Sequence, residues 1–370
     1  LGDVYKRQPK GSKVHLKVKR GGSPDLIDFV VVRDDIPIYS VDAAYMANDS
    51  VGYIRVSRFA EETAAEVARA VEKLQRKGMR RLILDLEDNG GGYLGAAVEL
   101  ASEFLAKGDP VVYTKGLHAE PMYFNLDKDG ALRQMPVVVM VNQYSASASE
   151  ILSGALQDND RAPIVGRRTF GKGLVQRPFP FPDGSMIRLT TARYYTPSGR
   201  SIQKHYDKGH GEEYMLDMLN RYNSGELWSA DSIQRPDSLR FETLRTHRPV
   251  YGGGGIMPDV FVPADTTDVT KYFVEVAGRN ILYRYTIEYA DRHREALNKV
   301  RTIPELQALL DSDKGLVEDF IRYAARKGVA PDYRDIARSR KLIEAQLRAY
   351  IGRNTALEDN GFYANIYPVD

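Results

Sequence analysis

Ser145-Ala146-Ser147-Ala148-Ser149 sets three hydroxyls on alternate residues, directly after a short apolar run, Val137 to Val141, that closes at Asn142. The run is mostly β-branched and reads as a strand buried on both faces. Glu150, Ile151, Leu152, Ala155 and Leu156 follow with the spacing of a helix that packs one side inward. A serine therefore stands at a strand-to-helix turn. The first amides of a helix have no internal partner and can donate to a negative oxygen forming beside them, so the available chemistry is attack by a hydroxyl nucleophile.

Such a hydroxyl needs a base. The six histidines, His15, His118, His205, His210, His247 and His293, all lie outside 136–176, although one could fold in from afar. Lys172 is nearer, in Thr169-Phe170-Gly171-Lys172-Gly173, where glycines let the backbone approach closely. A lysine acts as base only when neutral, and moving its pKa from about 10.4 to near 7 requires about 4–5 kcal/mol of burial against the charged form. Gln176, four residues on, offers a neutral amide oxygen that could orient the amine without holding it as ammonium.

A third stretch, Glu87-Asp88-Asn89-Gly90-Gly91-Gly92, lies between an apolar strand, Arg81 to Leu86, and a helix, Tyr93 to Leu105. Glycines at such a junction let backbone amides face a cavity, which suits an oxyanion or a phosphate. The dinucleotide fingerprint and the Walker lysine are both absent, and taken alone the stretch is a tight turn.

Two further elements must hold these stretches together. Val51 to Val56 reads as a strand, and Glu61 to Lys77 as an amphipathic helix with Ala65, Val67, Ala68, Val71 and Leu74 inward and Gly78 as its stop. Strand–helix–strand order indicates an α/β layer architecture. Nearer the N-terminus, Gly11 to Arg20 alternates with period two and Leu26 to Arg33 is a second strand-like run. Later come a strand at Ile187 to Tyr195, a polar stretch of loops and short helices from His205 to Arg245, and a glycine-rich turn, Tyr251 to Asp259. Beyond Asp265 the period becomes helical over Tyr272–Tyr289, Glu305–Leu310, Leu316–Lys327 and Asp335–Arg353.

Ser-Ala-Ser-Ala-Ser-Glu-Ile, then Leu-Gln-Asp, Thr-Phe-Gly-Lys-Gly and Val-Gln, together resemble the carboxy-terminal processing peptidases, or tail-specific proteases, of serine peptidase family S41. The resemblance implies Ser147 as nucleophile, Lys172 as base and Gln176 as orienting amide. It also implies an oxyanion hole from the amide of Gly91 or Gly92 with that of Ala148, since 87–92 is similar to the family's Asn-Pro-Gly-Gly segment. Two departures stand out: Gly90 replaces the usual proline, and Glu87 stands where an arginine is common, which puts the rigidity of the loop in doubt. Tyr194 to Gln203 and the Gly-Gly-Gly-Ile-Met-Pro-Asp run are similar to family signatures with scaffold roles. The implied architecture is α/β: a ClpP/crotonase-like core over 34–264, preceded at 1–33 by the C-terminal remnant of a PDZ domain and followed at 265–370 by an α-helical region. The alternative for 1–33 is an ordinary hairpin. Residues 1–8 fit poorly with the strand pattern after them and read as an artefact of sequence assembly.

Composition bounds the rest. Lys+Arg of 52 against Asp+Glu of 50 gives a formal net charge of +2, which offers no global argument for nucleic acid. The absence of cysteine excludes a thiol nucleophile, a disulfide framework and cysteine-ligated zinc. No apolar run approaches the roughly 20 residues of a membrane span. No initiator Met or signal-like segment is present, so targeting information is absent or lies outside this stretch.

The resemblance implies no metal or organic cofactor, protein or peptide substrates with unstructured C-termini, a periplasmic or envelope location, and a homo-oligomer or adaptor protein as further partners. Two other classes use the same scaffold: a crotonase-like acyl-coenzyme A enzyme, distinguished by lack of a covalent serine, and a peptide-binding protein without turnover.

Overall fold

The computed structural model describes residues 8–20, 24–205 and 211–369, and contacts divide the chain into two units, Leu1–Tyr39 and Ser40–Asp370. In the first unit the period-two run and the strand-like run after it pair as an antiparallel hairpin, β1 (Lys13–Lys19) with β2 (Leu26–Val32), Leu16 lying opposite Phe29. Lys10 closes its open end with ion pairs to Asp34 and Asp35, each 2.6 Å. Residues 1–7, nearly all of the stretch read as artefactual, lie outside the described residues.

The second unit is built on strands that run, in chain order, β3 (Val41–Met46), β4 (Val51–Val56), β5 (Arg81–Asp85), β6 (Pro110–Lys115), β7 (Met122–Asn125), β8 (Val137–Val141), β9 (Ile164–Gly166), β10 (Leu174–Pro180), β11 (Met186–Tyr195), β12 (Arg240–Glu242), β13 (Pro249–Tyr251) and β14 (Val260–Phe261). Six of them form one sheet in the order β14-β9-β8-β5-β4-β3, parallel except for the β3–β4 hairpin. Parallel neighbours require crossovers, and helices supply them. Helix α1 (Thr63–Gln75) joins β4 to β5, α2 (Leu94–Phe104) follows β5, and α3 (Ala148–Asp158) joins β8 to β9.

These helices press Val67, Val71, Leu74, Leu100, Phe104, Ile151 and Leu152 onto one face of the sheet, made by Ile54, Val56, Leu82, Leu84, Val137, Val139 and Val141. Full burial of each large apolar side chain contributes about 1.5–3 kcal/mol, so this layer is the main stabiliser of the unit. The β8 strand alternates: Val138 and Met140 are only half-buried, so it is sealed on the helix side and less so on the other, not on both as its unbroken apolar run indicates.

Asp85 of β5 lies opposite Met140 of β8 in parallel register. Both strands therefore end on the same edge, and the segments that leave them, 86–93 and 142–147, emerge side by side. A second sheet, β10-β11-β6-β7, is antiparallel. Between them and the C-terminal helices runs the excursion that holds α4 (Gly211–Asn223).

The helical period read over Tyr272–Tyr289 resolves into two helices, α5 (Lys271–Gly278) and α6 (Ile281–Arg292), because Asn280 takes a left-handed conformation with φ 57°. After them come α7 (Arg294–Leu297), α8 (Ile303–Ser312), α9 (Leu316–Arg326), α10 (Tyr333–Arg353) and α11 (Asp359–Ile366). Tyr285, Leu306, Phe320, Ile343 and Leu347 form their own core. The sequence set this region apart, yet it docks on the sheet: Ala44 N–H of β3 donates to Asn360 Oδ1 of α11 at 2.7 Å. No helix among the described residues is long and apolar enough to cross a membrane.

Candidate active site

Ser147 caps α3 with φ 59° and ψ −112°, a backbone conformation that a side chain bearing Cβ rarely adopts and that persists only where its surroundings impose it. The surroundings are its two serine neighbours. Ser145 Oγ donates to Leu86 O at 2.8 Å and accepts from Asn142 N–H at 2.9 Å, while Ser149 Oγ donates to Asn89 O at 2.9 Å. Both are fully buried, and both tie the turn to the glycine loop. Ser147 is half-buried, and its hydroxyl makes no tie to that loop.

Glu150 joins the turn to the lysine loop. Its Oε2 accepts the backbone N–H of Ser147 at 2.7 Å and that of Lys172 at 2.8 Å; its Oε1 accepts Gly171 N–H at 2.6 Å and Thr169 Oγ1–H at 2.5 Å. Burial pushes this carboxyl up from its ordinary value, against the downward pull of the Thr169 hydroxyl and the three amides. Two donors on each oxygen leave it saturated as an acceptor. Phe170 N–H donates to Ser145 O at 2.9 Å, and Gly173 N–H to the buried Gln203 Oε1 at 2.9 Å. Arg221 of α4 donates to the carbonyls of Arg168 and Thr169 at 2.5 and 3.1 Å.

The Lys172 side chain, by contrast, is exposed, as is Gln176 at a bulge in β10. The structure thus brings the backbones of Ser147 and Lys172 together through one carboxylate oxygen. It places no hydrogen bond between Ser147 Oγ and Lys172 Nζ, or between either and the Gln176 amide.

Gly91 and Gly92 show why this loop is glycine-rich. Their φ values are +97° and +156°; a Cβ on Gly91 would come within 2.7 Å of Ser147 Cβ and 2.9 Å of Ala148 N, and one on Gly92 within 1.9 Å of Phe59 O. Gly91 N–H donates to Asn89 Oδ1 at 2.8 Å, whereas the amides of Gly92 and Ala148 meet no acceptor among the described residues. Side-chain clamps hold the loop where Gly90 and Glu87 stand: Asp88 N–H donates to Asn142 Oδ1 at 3.1 Å, Asn142 Nδ2 returns a bond to Asp88 Oδ1 at 2.9 Å, and Glu87 N–H donates to Asp85 Oδ1 at 2.7 Å.

Sequence reasoning missed Glu150, Asn89, Asn142 and Gln203 as parts of the site. Glu150 carried a local signal, the Ser-x-x-Glu spacing of a helix start, while Asn89 and Gln203 lie in stretches similar to family signatures that name no such contact.

Residues 50–210 match the model of the family described as "Peptidase family S41", and residues 272–356 match a "Family of unknown function (DUF8443)". The chain is 41% identical over 201 residues to the "Carboxyl-terminal-processing protease" of Synechocystis sp., covering 54% of this chain and 47% of that protein. It is 35% identical over 198 residues to the "Carboxy-terminal processing protease CtpA" of Bacillus subtilis, covering 54% and 42%. It spans less than half the length of either relative. Among solved structures, "Photosystem II D1 C-terminal processing protease" matches with a TM-score of 0.45 at 26% identity, over 70% of this chain and 57% of that one. The segment 50–210, which holds the serine turn, the glycine loop and the lysine loop, belongs to peptidase family S41.

Proposed function

We infer that this chain is a serine endopeptidase that cuts proteins near their C-termini on a ClpP/crotonase-like core, with Ser147 as nucleophile and Lys172 as general base. The observation that carries the reading is the shared oxygen of Glu150, which holds the Ser147 and Lys172 backbones 2.7 and 2.8 Å from one atom. That ties the backbones of both residues to one point, and in this reading the Lys172 stem turns inward to bring Nζ to Ser147 Oγ. Catalytic hydrogen bonds are often open before substrate arrives and tighten in the complex.

Lys172 as free amine takes the proton of Ser147 Oγ while the oxygen attacks the scissile carbonyl. The oxyanion that forms accepts from the amides of Ala148 and Gly92, worth about 2.7–4 kcal/mol per donor by comparison with other acyl transferases. The ammonium of Lys172 returns its proton to the departing amine, leaving an ester on Ser147. Water, deprotonated by Lys172, then attacks the ester and restores the serine. Gln176 orients the amine once the stem has turned inward. In the same reading 9–33 is the end of a PDZ module, the preferred substrates carry unstructured tails, and the protein works in the periplasm or cell envelope.

Digestion of a denatured protein with an apolar, unstructured C-terminus, followed by product masses, tests this. Cleavage by the wild-type chain and none by Ser147→Ala supports the reading; cleavage that survives in Ser147→Ala overturns it.

A further inference from the structure

The second face of the sheet carries a buried charged cluster that the acyl-transfer steps leave unused. Asp85, fully buried at the end of β5, accepts on Oδ2 from Tyr53 OH, from Arg55 Nη1 at 2.9 Å and from Tyr367 OH at 2.7 Å. On Oδ1 it accepts Glu87 N–H at 2.7 Å. Arg55 Nη1 also donates to Tyr367 OH at 2.6 Å, its guanidinium lies 4.8 Å from the Tyr363 ring, and its Nη2 stands 3.7 Å from Asp88 Oδ2. Burial and the Asp85 charge raise the Tyr53 and Tyr367 hydroxyls above their ordinary value, so both remain donors.

One carboxylate therefore holds two things that are far apart in the chain. Its Oδ2 takes a hydroxyl from a residue 282 positions on, just after α11; its Oδ1 takes the amide that begins the glycine loop. Next along that loop Asp88 has φ 59°, a left-handed conformation that a residue with a Cβ rarely adopts, and Gly91, packed against Ser147, follows. Strained backbone of this kind keeps its shape only while its neighbours over-determine it. The Asp85 rotamer is one of those determinants, and Tyr367 is one of the three groups that set it.

We propose that Tyr367 is a positioning residue for the oxyanion loop: its hydroxyl fixes the Asp85 carboxylate, which through Glu87 N–H sets residues 87–92 against Ser147. The end of the helical region is thereby part of the active-site apparatus. The catalytic consequence rests on the peptidase reading, whereas the structural linkage stands without it.

Tyr367→Phe keeps the ring, which stacks on Tyr363 with centroids 5.4 Å apart, and removes only the hydroxyl. In the full chain, amide hydrogen exchange of peptides covering 86–93 is compared between wild type and variant, with α9 as reference, alongside kcat and KM on a peptide and the rate of Ser147 labelling by a fluorophosphonate. The expected result is about tenfold faster exchange in 86–93 with α9 unchanged, and about tenfold lower kcat and labelling with KM within twofold; tenfold corresponds to about 1.4 kcal/mol. Unchanged exchange in 86–93 overturns the proposal. So does faster exchange in α9 to the same extent, which would give Tyr367 a purely structural role. If Ser147 of the wild type takes no label, the peptidase reading fails, and the exchange arm still decides the linkage.

Discussion

Ser147 and Lys172 donate their backbone amides to the same oxygen of Glu150, at 2.7 and 2.8 Å, although they are 25 positions apart and their side chains do not touch by hydrogen bond. The nucleophile and base of the proposed mechanism are thus registered through backbone, and no hydrogen bond holds their side chains.

Glu150→Gln removes one acceptor oxygen and sets an NH2 against two donors, the Ser147 and Lys172 amides or the Gly171 amide and the Thr169 hydroxyl. Buried donors left unpaired cost about 1–3 kcal/mol each, so the variant should lose about 2–6 kcal/mol in denaturant unfolding. Its Ser147 acylation should fall by at least about a hundredfold, more than the fraction unfolded explains. A variant with wild-type stability and acylation would remove Glu150 from this role.

Ser145→Ala and Ser149→Ala should each keep acylation within about tenfold while lowering stability. Ser145 takes part in two buried bonds and Ser149 in one, so the losses should be about 1–3 and about 1 kcal/mol respectively. Ser147→Ala should show the reverse pattern: full stability and no acylation. Equal losses of acylation at all three positions would show that the nucleophile is misassigned.

A methyl on Gly92 has nowhere to go, lying 1.9 Å from Phe59 O, and Gly92→Ala should lower kcat by at least about a hundredfold through displacement of the loop. The helical Gly95 meets nothing within 4 Å, and Gly95→Ala should raise stability by about 0.4–1 kcal/mol with unchanged kcat. Paired thermal unfolding and kinetics on the two variants separate loop geometry from general glycine effects.

Asp42 supplies a pH dependence. Burial pushes its carboxyl from 3.8 to about 6, with Arg55 opposing and Asp359 and Asp85 adding to the rise. The folded state therefore binds this proton more tightly than the unfolded chain, so the contribution to stability is complete below about pH 4 and is lost as pH rises through about 6. By pH 8 the ionised group disfavours folding by up to about 3 kcal/mol. Asp42→Asn should be more stable than wild type at pH 8, and the gain should vanish by pH 4. A gain that is the same at both pH values would contradict the assignment.

The serine turn and lysine loop were legible because each is a local pattern: a strand, hydroxyls, a helix start, and a lysine between glycines. Glu150 was half legible, through its spacing from Ser147; its hold on Gly171 and Lys172 arises only when the loop 169–173 folds over α3. Asn142 and Asn89 read as turn residues, and nothing local distinguishes a turn asparagine from one that clamps a neighbouring loop. The break at Asn280 follows Gly278, a stop signal that the continuing apolar spacing masked, so one period seemed to run through two helices. Tyr367 on Asp85 is a pairing across 282 positions that no periodicity encodes.

The most direct measurement is the rate at which a fluorophosphonate modifies Ser147, followed by intact mass and peptide mapping, in wild type, Lys172→Ala and Lys172→Arg. With Lys172 as base, all label in wild type lies on Ser147, and both variants fold normally but react at least about a thousandfold more slowly, because alanine has no amine and the arginine guanidinium stays charged. Label on another residue, or labelling of Ser147 in folded Lys172→Ala at a rate within tenfold of wild type, would contradict it.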